Sequence, residues 1–298
     1  MKRAVSVSLG SSARDKKVEV ELLGEQVSIE RMGTDGDIDK AIALFTELDG
    51  QVDAFGVGGI DLWVQMGEKR YPLRDAQQLV KNVHITPVVD GSGLKNTLES
   101  HIVETLVNEI DPKYAKGKAF NTMGVDRYGM TLDFYNNGYE MVCGDLMFGL
   151  GIPIPIKSLK QLHRVAKLML PIATRLPLKM IYPTGEKQDE IIPKFTKYYE
   201  WADVIAGDCH YIKRHMPPNL KGKVIATNTT TLKDLELFRE RGVTHVVTTT
   251  PQLDGRSFGT NMMEAALTAV AAKNRPLTHG ELEDMLLNLD MKPSVLTL

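Results

Sequence analysis

Apolar positions along this chain repeat first with a period of two and then with a period near 3.6, and the exchange recurs to about residue 272. Residues 3–9 alternate as a strand, and residues 18–22 and 27–29 flank Gly24 as a hairpin. Ile38, Ala41, Ile42, Phe45 and Leu48 recur at helical spacing, and Gly50 closes that helix. Strands over 52–57 and 85–89, a helix over 73–80 and a linking helix over about 94–110 complete a first unit. Asp111-Pro112 and then Lys116-Gly117-Lys118 form a polar turn that marks a boundary. Beyond it the pattern predicts strand 118–123, helix 128–137, strands 139–143, 203–206 and 223–227, helix 232–240, strand 243–248 and helix 261–272. No internal repeat of fixed period is present. Alternating strands and helices imply an α/β chain. The expected division is an N-terminal α/β, substrate-side domain over 1–111, a doubly wound Rossmann-like nucleotide-binding domain over 112–275, and a tail over 276–298 that packs back.

The alternation breaks between Leu146 and Gln188. This insertion holds Ile152-Pro153-Ile154-Pro155-Ile156, an amphipathic helix over about 158–170, and further prolines. Such a segment is expected to pack across a sheet edge or in a dimer interface, the second of which implies a homo-oligomer; a lid over a ligand is the alternative. Lys157, Lys160, Arg164, Lys167, Arg175 and Lys179 interrupt it, so it offers no uninterrupted membrane span.

Composition narrows the function classes. Apolar residues make up 43% and charged residues 25% of the 298, a globular balance. The net charge of -2, without a basic stripe, argues against a nucleic-acid partner. The N-terminus runs straight into a strand with no apolar leader core, so a cytoplasmic location and no membrane partner are expected. Cys143 and Cys209 form no C-x-x-C pair and read as small buried hydrophobes at strand ends. Scattered histidines and the absence of H-E-x-x-H predict no metal, and no G-x-S-x-G elbow occurs.

Strand 118–123 leads into Gly124-Val125-Asp126-Arg127-Tyr128-Gly129 and then a helix. Glycines at such a turn let a backbone approach a pyrophosphate, whose charge the N–H groups at the helix start bind. Asp126 stands where the fingerprint has its middle glycine; an ordinary turn capped by Asp126 is the competing reading. Asp145, after strand 139–143, has the spacing of the acid that binds the adenine ribose and favours NAD over NADP. It also fits a turn aspartate. Gly207-Asp208, Asn228-Thr229-Thr230-Thr231 and Thr248-Thr249-Thr250-Pro251 lie at predicted strand ends, so Gly124, Asp126, Arg127, Gly129, Asp145, Asp208, Thr229 and Thr249 form the candidate cofactor set. Ser257–Asn261 opens the last long helix as a cap or an anion site.

Asp90-Gly91-Ser92-Gly93, then Lys116-Gly117-Lys118, then Gly124 follow one another in the order seen in quinate and shikimate dehydrogenases, and over about residues 85–145 the chain resembles that family. The resemblance implies a dehydrogenase acting on a small hydroxy acid or alcohol in the interdomain cleft, with NAD or NADP as cofactor. It implies that Asp90, paired with a lysine, moves the substrate hydroxyl's proton. The family's Ser-x-Thr-x-Pro-x-Lys segment has no counterpart here, which leaves Lys69, slightly preferred, and Lys95 as candidates. Asp90 also fits a helix cap. A non-redox binding protein for a nucleotide or metabolite, and a transferase or lyase on a phosphorylated substrate, are the alternatives.

Overall fold

The computed structural model describes residues 1–67, 69–177, 190–253 and 256–298. In chain order its elements are β1 (Lys2–Ser8), β2 (Lys16–Leu22), β3 (Glu25–Gly33), α1 (Ile38–Leu48), β4 (Ala54–Gly58), β5 (Trp63–Met66), β6 (Lys69–Pro72), α2 (Arg74–Gln77), β7 (Val88–Val89), α3 (Ser92–Glu99) and α4 (Ile102–Glu109). They continue as β8 (Lys118–Asn121), α5 (Tyr128–Asn136), β9 (Glu140–Cys143), α6 (Leu159–Ala173), α7 (Thr196–Trp201), β10 (Val204–Ala206), α8 (Cys209–His215), β11 (Val224–Thr227), α9 (Leu232–Glu240), β12 (His245–Thr248), β13 (Gln252–Leu253), β14 (Arg256–Ser257), α10 (Thr260–Ala271), α11 (His279–Asn288) and β15 (Ser294–Thr297). No helix among the described residues is long and apolar enough to cross a membrane.

The chain is mixed α/β with two sheet-bearing regions. The first sheet has the order β2-β3-β1-β4-β7, with β3, β1, β4 and β7 parallel and β2 antiparallel at the edge. The second has the order β15-β12-β11-β10-β8-β9, all parallel except β15. Side chains alternate between two buried faces. In the second sheet Ala119, Val204, Ala206, Val224 and Ala226 join one core with α4, α5 and α6, while Phe120, Ile205 and Ile225 join the other with α7, α8 and α9. Near-continuous apolar strands are what burial on both faces requires. The insertion follows the same logic. Ile156 pairs with Cys143 at the β9 edge, and α6 buries Leu162, Ala166 and Leu170 against that edge. The part of the expected insertion over 178–188 lies outside the described residues.

Three expectations need revision. The single linking helix is two, because the buried Asp133 carboxylate accepts from Val103 N at 2.7 Å and starts α4 afresh. The polar tail holds a helix and a strand: α11 packs on α3, and β15 pairs with β12. The helix assigned to the end of the nucleotide domain, α10, lies on β1, β3 and β4 of the first sheet instead. Its residues Met262, Met263, Ala265, Ala266 and Ala269 complete the core that begins with Ala4, Ile29 and Ala54.

Close approach of α10 explains glycines in the first region. A Cβ on Gly56 would stand 2.6 Å from Asn261 O, and one on Gly91, whose φ is +90°, would stand 2.5 Å from Asn261 N. Gly91→Ala is therefore expected to lower stability by about 1–3 kcal/mol through overpacking, beyond the left-handed penalty of about 1–2 kcal/mol. Gly138→Ala, at φ +76° with no atom near the added methyl, isolates that penalty. Urea denaturation of the two variants measures the difference, and equal losses would refute the packing role of Gly91.

Candidate functional site

Parallel strands direct their carboxyl ends, and the loops that follow, to one side of each sheet. Asp61 follows β4, and Asp90 follows β7 and precedes α3. In the second sheet Asp126 and Arg127 follow β8, Asp208 follows β10, and Asn228 follows β11. Lys95, on α3, joins the two sets: its Nζ lies 3.9 Å from Asp61 Oδ2 and 3.9 Å from Asp126 Oδ1. Arg127 extends the cluster. Its Nη1 lies 3.2 Å from Glu99 Oε1, its Nη2 2.8 Å from Asp208 Oδ2, and its Nε 3.1 Å from Asp126 Oδ2. Asn228 Nδ2 donates to the same Asp208 oxygen at 2.8 Å. The loops after β8 and β10 flank the point where the strand order of the second sheet reverses, and the Arg127–Asp208 pair closes it.

Burial and charge divide the carboxyls into two kinds. Burial raises the pKa of Asp61, with Lys95 opposing and Asp90 and Asp126 adding repulsion. Burial likewise raises Glu99 against the pull of Arg127. Asp126 is also penalised by burial, yet Arg127 and Lys95 hold its carboxyl below the usual range. Burial works against the Lys95 ammonium, but Asp61 and Asp126 outweigh it and keep the charge. Carboxyls outnumber cations here, so the cluster combines acceptors, two fixed cations and protonatable acids.

Asp90 is buried, and its Oδ2 accepts from Leu62 N at 2.7 Å while Oδ1 accepts from Ser92 N at 3.0 Å and from the Ser92 hydroxyl. It thus caps the start of α3 and pins the loop after β4. Of the two candidate lysines, Lys69 is exposed on the β5–β6 hairpin and Lys95 lies in the cluster. The glycine turn differs from the expected cofactor cradle. Gly124 N and Val125 N donate to the Asp145 carboxylate at 3.0 and 2.8 Å, so the expected ribose acid occupies N–H groups of the turn itself. Burial moves Asp145 up to about 6 despite those donors. A Cβ on Gly129 would stand 2.7 Å from Asn96 O and 2.7 Å from Glu99 Cβ, so this glycine admits α3. Met130 N, in the first turn of α5, donates to Glu99 Oε2 at 3.3 Å. Protein carboxyls therefore take N–H groups that the sequence assigned to a pyrophosphate.

Among the remaining candidates, Asp208 joins the cluster and also caps α8 through His210 N at 2.9 Å. Thr229 is exposed and shares a hydroxyl contact of 2.8 Å with Thr250, while Thr249 is buried and its N–H bonds to Thr227 O at 3.0 Å. Cys143 is buried at the end of β9, and Cys209 is buried at the start of α8, not at a strand end; burial raises both thiol pKa values. Among the described residues no group of three or more His, Cys, Asp or Glu is placed to hold a metal. A groove of about 590 Å³ among His101, Glu104, Asp133 and Asn137 touches none of the candidates.

Sequence reasoning missed Asp61, Glu99 and Glu264. Glu264 gave a usable signal, as a lone acid in Met262-Met263-Glu264-Ala265-Ala266, where only a hydrogen-bonded carboxyl is tolerated. It accepts from Leu94 N at 3.0 Å.

A family model matches residues 93–298, well over half the chain, and a second matches residues 3–90. The chain belongs to the family described as Domain of unknown function (DUF8754). The second model is described as Domain of unknown function (DUF8753), and the two meet at the turn between β7 and α3. No curated protein matches the chain. Among solved structures, the Entamoeba histolytica malic enzyme aligns at 10% identity over 83% of this chain and 49% of its own, with a TM-score of 0.39. The NAD-dependent malic enzyme of Thermotoga maritima aligns at 13% identity over 95% and 83%, with a TM-score of 0.37. LsrB of Clostridium saccharobutylicum aligns at 8% identity over 91% and 80%, with a TM-score of 0.33. The chain spans about half the length of the first of these.

Glu264 supplies a test of the buried acids. Burial, and then repulsion from Asp90, raise its pKa from 4.5 to about 8. Its contribution to stability is full below pH 4.5, where folded and unfolded carboxyls are both neutral. It is lost as pH rises through about 8, because only the unfolded carboxyl ionises freely in between. Glu264→Gln keeps an acceptor for Leu94 N and does not ionise. Between pH 5 and 8 its unfolding constant relative to the parent chain should fall by about tenfold or more. A pH-independent difference in chemical denaturation would remove the assignment.

Proposed function

We propose that the chain binds a small polyhydroxylated metabolite between the carboxyl ends of its two sheets, the second of which we read as a doubly wound, Rossmann-like sheet. The observation that carries this reading is the Lys95 bridge between the loops after β4 and β8, within a cluster whose carboxyls outnumber its cations. Hydroxyl groups donate to carboxylates and accept from ammonium and guanidinium groups, so a polyol satisfies both kinds of side chain at once. A pyrophosphate is a poorer fit. Asp145 and Glu99 already hold N–H groups of the β8–α5 turn, and Asp126 repels added negative charge there.

One observation favours a second reading, an NAD(P)-linked oxidoreductase of quinate/shikimate type. Asp90 at the end of β7 and the charged Lys95 in the first turns of α3 flank one junction at the carboxyl edge of the first sheet, as a substrate-side acid and base would.

Thermal-shift titrations separate the readings. Neutral polyols and hydroxy acids should stabilise the chain, by about 2.7 kcal/mol at a hundred times the dissociation constant. Lys95→Met should abolish that shift. Stabilisation by NAD or NADP, with reduction of the nicotinamide in the presence of a hydroxy acid, would establish the second reading instead. No response to any polyol, hydroxy acid or dinucleotide would overturn both.

A further inference from the structure

From Leu146 to Gly185 the sequence carries six Lys or Arg residues and no acidic residue, in a chain whose net charge is -2. Helix α6 lies in this stretch and buries Leu162, Ala166 and Leu170. At about 100° per residue, Lys160, Arg164, Lys167, Leu168 and Ile172 fall within an arc of about 140° on the opposite side. All five are exposed, Leu168 to 71% and Ile172 to 60%. Among the described residues none of the cations has an ion-pair partner. Just before the helix, Ile154 is 56% exposed and is followed by the exposed Lys157. Aliphatic side chains are thus presented to solvent within a field of unpaired positive charge.

We propose that this face of α6 docks on an anionic lipid surface, with Leu168 and Ile172 entering the acyl boundary and the cations meeting acidic headgroups. Charge complementarity selects the occupant. A second copy docked through the same face would set like charges opposite one another, since a two-fold contact is self-complementary. A nucleic-acid backbone would meet the cations but leave the aliphatic side chains without a partner. A headgroup layer over acyl chains satisfies both. The attachment is peripheral, and the buried side of α6 stays in the protein core.

Co-sedimentation with vesicles tests the proposal on the full chain. Binding is expected to vesicles of phosphatidylcholine with phosphatidylserine at low salt, and not to phosphatidylcholine alone. Lys160→Glu with Lys167→Glu should weaken it at least about tenfold. Leu168→Ser with Ile172→Ser, which leaves the charge unchanged, should also weaken it at least about tenfold. Lys233→Glu, on α9, should have no effect, and circular dichroism of each variant confirms the fold. No binding to phosphatidylserine vesicles would overturn the proposal. So would binding indifferent to the serine replacements, which marks charge attraction alone, or a dimer in sedimentation that those replacements dissociate.

Discussion

A buried guanidinium must have its charge met, and that requirement organises the centre of this molecule. The Arg127 side chain is 8% exposed and faces Glu99 from α3, Asp126 beside it and Asp208 from the end of β10. Removing such a group from water costs several kcal/mol, and only well-placed partners offset it. The helix after the first sheet, the turn after β8 and the loop after β10 are therefore held to one arrangement. Lys95 carries the same constraint across to Asp61.

A second regularity follows. Glu264 accepts from Leu94 N, Asp133 from Val103 N, Asp145 from Gly124 N and Val125 N, and Glu99 from Met130 N, each a buried carboxyl reaching the start of a helix or turn from another part of the chain. Helix starts attract negative charge, and here the protein supplies it from its own side chains. Burial outweighs the help of those donors, so all four acids have raised pKa values, Asp133 up to about 7.

Strand and helix periods were legible in the sequence because both sheets bury alternating side chains; β1, α1, α5 and α9 lie within a residue or two of their expected bounds, whereas β3 of the expected hairpin runs four residues further. The polarity of the strand ends was legible too, and it located Arg127 and Asp208. The partners were not. Glu99, Asp61 and Glu264 look in sequence like ordinary helical or loop acids, and their surroundings come from elements distant in the chain. The glycines misled for a related reason. Gly91 and Gly129 do permit close approach, but what approaches is α10 in one case and α3 in the other. A sequence motif records that space is needed, not who fills it.

The placement of α10 also bears on how the chain comes to be folded. One face of the first sheet, with Ala4, Ile29 and Ala54, has its cover in residues 260–288, more than two hundred positions downstream. During synthesis that face stays open while β8 to β12 of the second sheet are made. Contacts of such long sequence separation close late and slow folding. Until then the open face is a sticky surface, of the kind that recruits chaperones or traps a nascent chain in aggregates. The carboxyl-terminal helices thus act as a latch, and a ribosome that stalls before them releases a chain with its core exposed.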